Sequence, residues 1–227
     1  MLKHLLFTVA VLTAPVAGAA EFVGSDSCSS CHAAEFEAWQ GSHHDLAMQL
    51  PSADTVLGDF DNSTFTHGGV TSTFFTRDDK FWVRTDGEDG KLRDFPVEYV
   101  FGVYPLQQYL LPLDRGRLQA LTVAWDSRPA SEGGQRWFHL YPDETIPHGD
   151  PLHWTGPYQN WNTRCAECHS TDVEKQYSAA TRSFDTRFKE VNVGCEACHG
   201  PGAGHVALAN DGKLADAPAS GFALDLA

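Results

Sequence analysis

Six cysteines stand in one repeated pattern: Cys28-Ser29-Ser30-Cys31-His32, Cys165-Ala166-Glu167-Cys168-His169 and Cys195-Glu196-Ala197-Cys198-His199, with none left over. Two thiols three positions apart can form thioethers to the two vinyl groups of a haem, while the adjacent histidine turns in to ligate the iron. A tetrahedral zinc site also uses Cys-x-x-Cys, but it does not ask for histidine directly after the second cysteine. A thioredoxin-like redox pair needs one such motif on a βαβ scaffold, which the surrounding sequence lacks. Three disulfides are the default for an exported chain by number alone, and the spacing overrules that default. The pattern selects three covalently attached haem c groups, held through Cys28, Cys31, Cys165, Cys168, Cys195 and Cys198, with His32, His169 and His199 as proximal ligands.

The second axial ligand decides between carrying electrons and doing chemistry. Of eleven histidines, His43, His44, His67, His139, His148, His153 and His205 remain once His4 and the proximal three are set aside. Met48 is the single methionine beyond the initiator, so methionine ligation can occur once at most. His44 lies 12 residues past His32. A helix of that length spans about 18 Å, which carries His44 towards a neighbouring haem. Gly200-Pro201-Gly202-Ala203-Gly204-His205 cannot continue a helix, and six residues reach an adjacent haem more easily than they wrap round the edge of their own. His153, His148, His67 and His43 compete for the third position.

The elements that must position these groups read as two kinds. Glu35 to Trp39 is a short helix by propensity, flanked by Ala33 and Ala34. Between the first and second motifs lie 132 residues, too many for a simple connection, so this stretch must fold on its own. Thr71 to Thr76, Lys80 to Thr85, Leu92 to Val100 and Leu118 to Trp125 are rich in Val, Thr and aromatic residues, and Asp/Gly turns separate them. Those acidic turns lack the regular oxygen spacing of a calcium loop. The expected fold class is therefore α+β, a helical or irregular multihaem core with a small antiparallel β-sheet inserted. Its segments are 1–20 (signal peptide), 21–64 (first haem segment), 65–142 (β insertion), 143–209 (second and third haem segments) and 210–227 (a loose tail).

Lys3 and His4 precede an apolar run from Leu5 to Val16 that ends in Ala17-Gly18-Ala19-Ala20, the pattern of a cleavable signal peptide. That run is well short of the roughly 20 residues that cross a bilayer, so membrane association is expected only if the segment stays uncleaved. The expected location is periplasmic or otherwise exported. A net charge of -14, with no basic run, argues against nucleic-acid binding and favours a basic redox partner protein.

Three stretches together carry a family resemblance: the Cys28 motif, Trp39-Gln40-Gly41-Ser42-His43-His44-Asp45-Leu46-Ala47, and Cys195 to His199 followed by Gly200-Pro201-Gly202-x-x-His205. They resemble multihaem c-type cytochromes of the cytochrome c-552/4 type, the tetrahaem cytochromes of ammonia-oxidising bacteria, and most closely the exported haem domains that precede tetratricopeptide repeats. The stretches 103–110, 134–142 and 152–155 extend the likeness over nearly the whole mature chain. The resemblance implies haems packed closely enough for electrons to hop, with His44 and His205 as distal ligands, and it ranks His153 third. It also implies a repeat domain or a further haem as partner, since this chain has no tandem repeat. Two functions follow. One is a carrier with three mainly bis-His haems. The alternative is an oxidoreductase in which one open or displaceable haem acts on a small nitrogen, sulfur or oxygen compound.

Overall fold

The computed structural model describes residues 21–216 and 218–222. The signal-peptide reading falls on residues outside that range. Among the described residues, ten strands form two sheets, and all pairings between them are antiparallel. One sheet is the meander β2 (Ser63–His67), β3 (Val70–Arg77), β4 (Lys80–Asp86) and β5 (Leu92–Pro96). The other has the order β1 (Met48–Gln49), β6 (Tyr99–Phe101), β7 (Leu106–Leu113), β9 (Val123–Asp126) and β10 (Arg136–His139), with β8 (Arg117–Ala120) also paired to β7.

Local chemistry accounts for the hairpins. Gly68-Gly69 and Asp78-Asp79 both place two consecutive residues at positive φ, the backbone of tight two-residue turns that match strand twist. Alternation then sends one face inward. Phe74, Val83 and Phe95 lie in register across β3, β4 and β5 and are buried. They meet Val100, Tyr109, Leu111, Val123, Trp125 and Trp137 from the second sheet. Trp137 stacks on Phe74 at 3.5 Å between ring centres and contacts Phe60, Tyr109 and Trp125. This aromatic layer is the main core of the molecule.

The expected helical or irregular core is overturned. The α-helices are α1 (Ala33–Trp39), α2 (Trp161–Arg164), α3 (Ala166–His169), α4 (Cys195–His199) and α5 (Ala203–Asn210), so the fold is β-rich. The reason is local: each haem motif winds one helical turn, and Gly41 or Gly200, both at positive φ, breaks the chain soon after. Two expected strands also split. Pro96 ends β5 before β6, and the stretch from Leu118 becomes β8 and β9 on either side of Leu121-Thr122.

A second, smaller cluster seats the middle motif. Met48, Leu110, Ala120, Trp161 and Ala166 are buried together, with Cys165, Phe101 and Phe188 packed against them. The first and last motifs rest on polar stitching instead, since α1 and α5 bury no residue. Trp39 Nε1 donates to the Val193 carbonyl at 2.9 Å, Val193 N–H to the His44 carbonyl at 3.2 Å, and Cys195 N–H to Ser25 Oγ at 2.9 Å. These bonds bring the two ends of the chain together. Among the described residues, no helix is long and apolar enough to cross a membrane.

Candidate haem sites

Each motif folds so that its two thiols share a side. Cys168 N–H donates to the Cys165 carbonyl at 3.1 Å, and His32 N–H to the Cys28 carbonyl at 2.9 Å, while Cys195–His199 is α4 itself. A helical turn sets residues i and i+3 over one face, which is what paired thioether attachment needs. In all three motifs the first cysteine is half-buried and the second exposed. Burial, and then the Cys195 thiol beside it, push the Cys28 thiol up to about 11.

Two cavities open between the first and third motifs. The larger, about 330 Å³, is lined by Cys28, Cys31, His32 and His205, with Cys195 and His199 at its wall. The other, about 220 Å³, is lined by Cys195, Cys198, His199 and His44, with Cys28 and His32 at its wall. The structure thus brings His205 to the first motif and His44 to the third, and the two cavities share walls.

The His32 and His205 rings face each other at 6.2 Å between centres. Two imidazoles bound to opposite sides of one metal ion stand roughly 6 Å apart, given metal–nitrogen lengths of about 2 Å and about 1 Å more to each ring centre. The residues present therefore fit an iron between them. His205 Nδ1 donates to the Ser220 carbonyl at 2.9 Å, which leaves Nε2 with its lone pair free to ligate. Phe222 stacks on the same ring at 4.6 Å. Ser220 and Phe222, in the tail expected to be loose, thus brace His205, and nothing in the tail's composition announced this.

His44 is fixed through its backbone and its neighbour. Its carbonyl accepts from Val193, and Asp45 accepts from Gly41 N–H at 2.8 Å and from Asn192 Nδ2 at 2.8 Å. Gly194, next to Cys195, has no room for a side chain: a Cβ there would lie 2.5 Å from Ser25 Oγ and closer still to Glu190 Oε2.

The middle motif differs. The His169 ring lies 4.2 Å from that of Phe101. Burial holds this imidazole below its ordinary range, which favours the neutral form that ligates iron. Its Nδ1 is buried without a hydrogen bond of good geometry, although the Ala47 carbonyl is near. Trp161 Nε1, in the cluster that seats this motif, is likewise buried and unpaired.

His153 is not brought to that motif. It is buried, its Nε2 donates to Asp86 Oδ2 at 3.1 Å, and its Nδ1 accepts from Thr155 Oγ1 at 2.8 Å, so both nitrogens are engaged beside the sheet. His67, His139 and His148 line the same 190 Å³ cavity. His67 stacks on His139 at 3.9 Å, and burial together with the neighbouring His67 and His153 holds His139 below its ordinary range. His43 lies near Tyr104, with ring centres 6.5 Å apart. Among the described residues, no three His, Cys, Asp or Glu side chains converge as a metal site. A haem iron asks the protein for only two ligands.

The model of the family described as cytochrome c554 and c-prime matches residues 27–59 and 153–200, which hold all three motifs, and passes over most of the sheet residues between them. Among solved structures, the chain is similar to the outer cell wall cytochrome OcwA at 18% identity and a TM-score of 0.51, over 84% of this chain and 34% of that one. At that identity the likeness is one of fold, and this chain spans about a third of the other's length. No curated protein matches the chain. The family match and the three motifs support a multihaem c-type cytochrome with covalently bound haem.

Proposed function

We propose that this multihaem c-type cytochrome is an exported three-haem carrier that passes electrons through two closely apposed bis-His haems and a third on the sheet. The observation that carries the reading is the crossed arrangement: His205, which follows the third motif, faces His32 of the first, and His44, which follows the first, shares a cavity with His199 of the third. A haem iron held by two imidazoles changes oxidation state by one electron with little rearrangement and offers no vacant position.

The chain's part is to hold the imidazoles still. Ser220 and Phe222 fix the His205 ring, and the Val193 and Asn192 contacts fix the backbone around His44. Cavity walls shared by Cys28, Cys195, His32 and His199 favour a short path between the two haems. The acidic surface favours a basic redox partner.

A second reading concerns the middle motif. His169 has Phe101 as its ring neighbour, and His153 is tied to Asp86 and Thr155. That arrangement favours a sixth position at this haem that is filled from elsewhere or left open to a small molecule.

The test is the visible spectrum of the holoprotein, reduced and then exposed to carbon monoxide. The carrier reading expects three haems per chain and a high-spin signal from one haem in each of His44→Ala and His205→Ala. Unchanged low-spin spectra in both variants would overturn it. A carbon monoxide shift in about a third of the wild-type signal, unaffected by either substitution, would assign an open iron to the middle motif.

A further inference from the structure

The residues between the two cysteines of a haem motif usually have little to do. Glu196 departs from this. It is 2% exposed, and its carboxylate accepts three backbone N–H groups: Val23 at 3.0 Å and Gly202 at 2.6 Å on Oε1, and Gly24 at 2.7 Å on Oε2. Two of these donors lie in the segment that leads into Cys28, and the third lies in the turn that leads into α5 and His205. One side chain thus ties the approach to the first motif to the distal ligand that serves it, from a position inside the third motif. It lines the same cavity as His32, His199 and His205. Ala166, the corresponding residue of the second motif, is buried too but carries no polar group, while Glu167, one position later, points outward and pairs with Lys175 on the surface, its side chain 67% exposed.

We propose that Glu196 is a positioning residue for the crossed haem pair, holding His205 opposite His32 and, as a buried charge in the wall of the cavity that His32, His199 and His205 line, favouring the ferric states of the haems these residues would hold and lowering both potentials. This rests on the functional reading above. The electrostatic half follows because an ionised carboxylate is acceptor-only, so three convergent donors suit it, and because a charge removed from water acts on its neighbours with little screening. The positioning half follows from the hydrogen bonds alone. Removal of an acceptor from buried N–H groups leaves them unsatisfied, and the bond that remains between the turn before α5 and the N-terminal segment, Ala203 N–H to the Glu21 carbonyl at 3.2 Å, involves no charged acceptor.

The experiment compares wild type, Glu196→Gln, Glu196→Ala and Glu167→Gln as holoproteins. Haem content, spin state, midpoint potentials by spectroelectrochemistry and amide exchange are read in each. Glu196→Gln keeps the shape and one acceptor oxygen, so all haems stay low-spin while two of the three midpoints move positive. Glu167→Gln leaves every midpoint in place. Glu196→Ala frees Val23, Gly24 and Gly202, whose amides exchange at least about tenfold faster, as expected for a lost bond to a charged acceptor. It also turns one haem high-spin as His205 drifts.

Midpoints in Glu196→Gln equal to those of Glu167→Gln would overturn the electrostatic half. A low-spin Glu196→Ala with protected amides would overturn the positioning half. A wild-type chain without haem would overturn the functional reading and the redox half with it, while amide exchange in Glu196→Ala against Glu196→Gln would still decide the positioning half.

Discussion

Cys28 and Cys31 serve one motif from unlike surroundings. Cys31 is exposed, whereas Cys28 is half-buried beside Cys195, with Glu196 and Glu190 near enough to disfavour its thiolate further. Only the thiolate is an effective nucleophile, so a thiol pushed up to about 11 reacts slowly once the chain has folded. In haem-free protein at pH 8, iodoacetamide should therefore label Cys31 and Cys198 well before Cys28, as peptide mapping over time would reveal. The sign of the pH effect follows from the same shift. The unfolded thiol titrates near 9.0 and the folded one near 11, so the folded state binds more protons between those values, and haem-free protein should lose stability as pH rises through that window. Urea midpoints of wild type against Cys28→Ser across this range check it: the extra alkaline loss belongs to wild type alone. The motifs themselves were plain at this scale, because covalent attachment demands fixed residue types at fixed spacing. Glu196 was not, because the backbone N–H groups that make a carboxylate suitable at this inward-facing position, where the second motif has the buried Ala166, come from segments that no local pattern places beside it.

The sheets are where element-level reading succeeded and stopped. Strands β3 and β4 were legible because Val, Thr and aromatic residues alternate between sharp Gly-Gly and Asp-Asp turns. Strand β7 was not, since Leu106–Leu113 contains Gln107, Gln108 and Pro112 and shows no clean alternation. Gln107 is nonetheless fully buried, its amide bonded to Leu57 N–H and the Thr55 carbonyl. Burial of a polar side chain with every group satisfied depends on partners 50 residues away, which local pattern cannot show. The aromatic layer gives this element its stability. Trp137→Ala should remove the stack on Phe74 and the edge contacts of Phe60 and Trp125, at a cost of about 3–5 kcal/mol. Chemical denaturation followed by far-UV circular dichroism measures this, and a loss below about 1 kcal/mol would mean that the layer is not the main core. The histidines His67, His139, His148 and His153 belong to this element too. Elimination left His67 and His148 as ligand candidates, nearness to the second motif and the family resemblance added His153, and the fold gathered these three with His139 round a cavity of their own.

At the scale of the molecule, a β-rich body with its own apolar core carries haem segments of two kinds. The middle motif is seated on apolar side chains, while the outer two, with α1 and α5 burying nothing, depend on polar stitching and on the group that would fill the space between them. Haem-free protein should accordingly protect amides most strongly in β3, β4, β7 and β9 and more weakly in residues 23–46 and 193–210, and haem attachment should slow exchange in the latter. Equal protection of both regions without haem would mean that the stitching suffices by itself. The sequence alone determined the cofactor chemistry and the acidic character of the chain and raised crossed ligation as an expectation, because thiol spacing, charge and the reach of a short glycine-rich turn are properties of the chain itself. It led to a helical core, since single helical turns at the motifs look alike whether they join long helices or end at once. Only the tertiary structure decided that His205 meets His32, that Ser220 and Phe222 brace it, that His153 turns to Asp86 instead, and that Glu196 lies inside. Each of these is a contact between segments far apart in the chain, and long-range contacts are set by the packing of the whole, which no local pattern encodes.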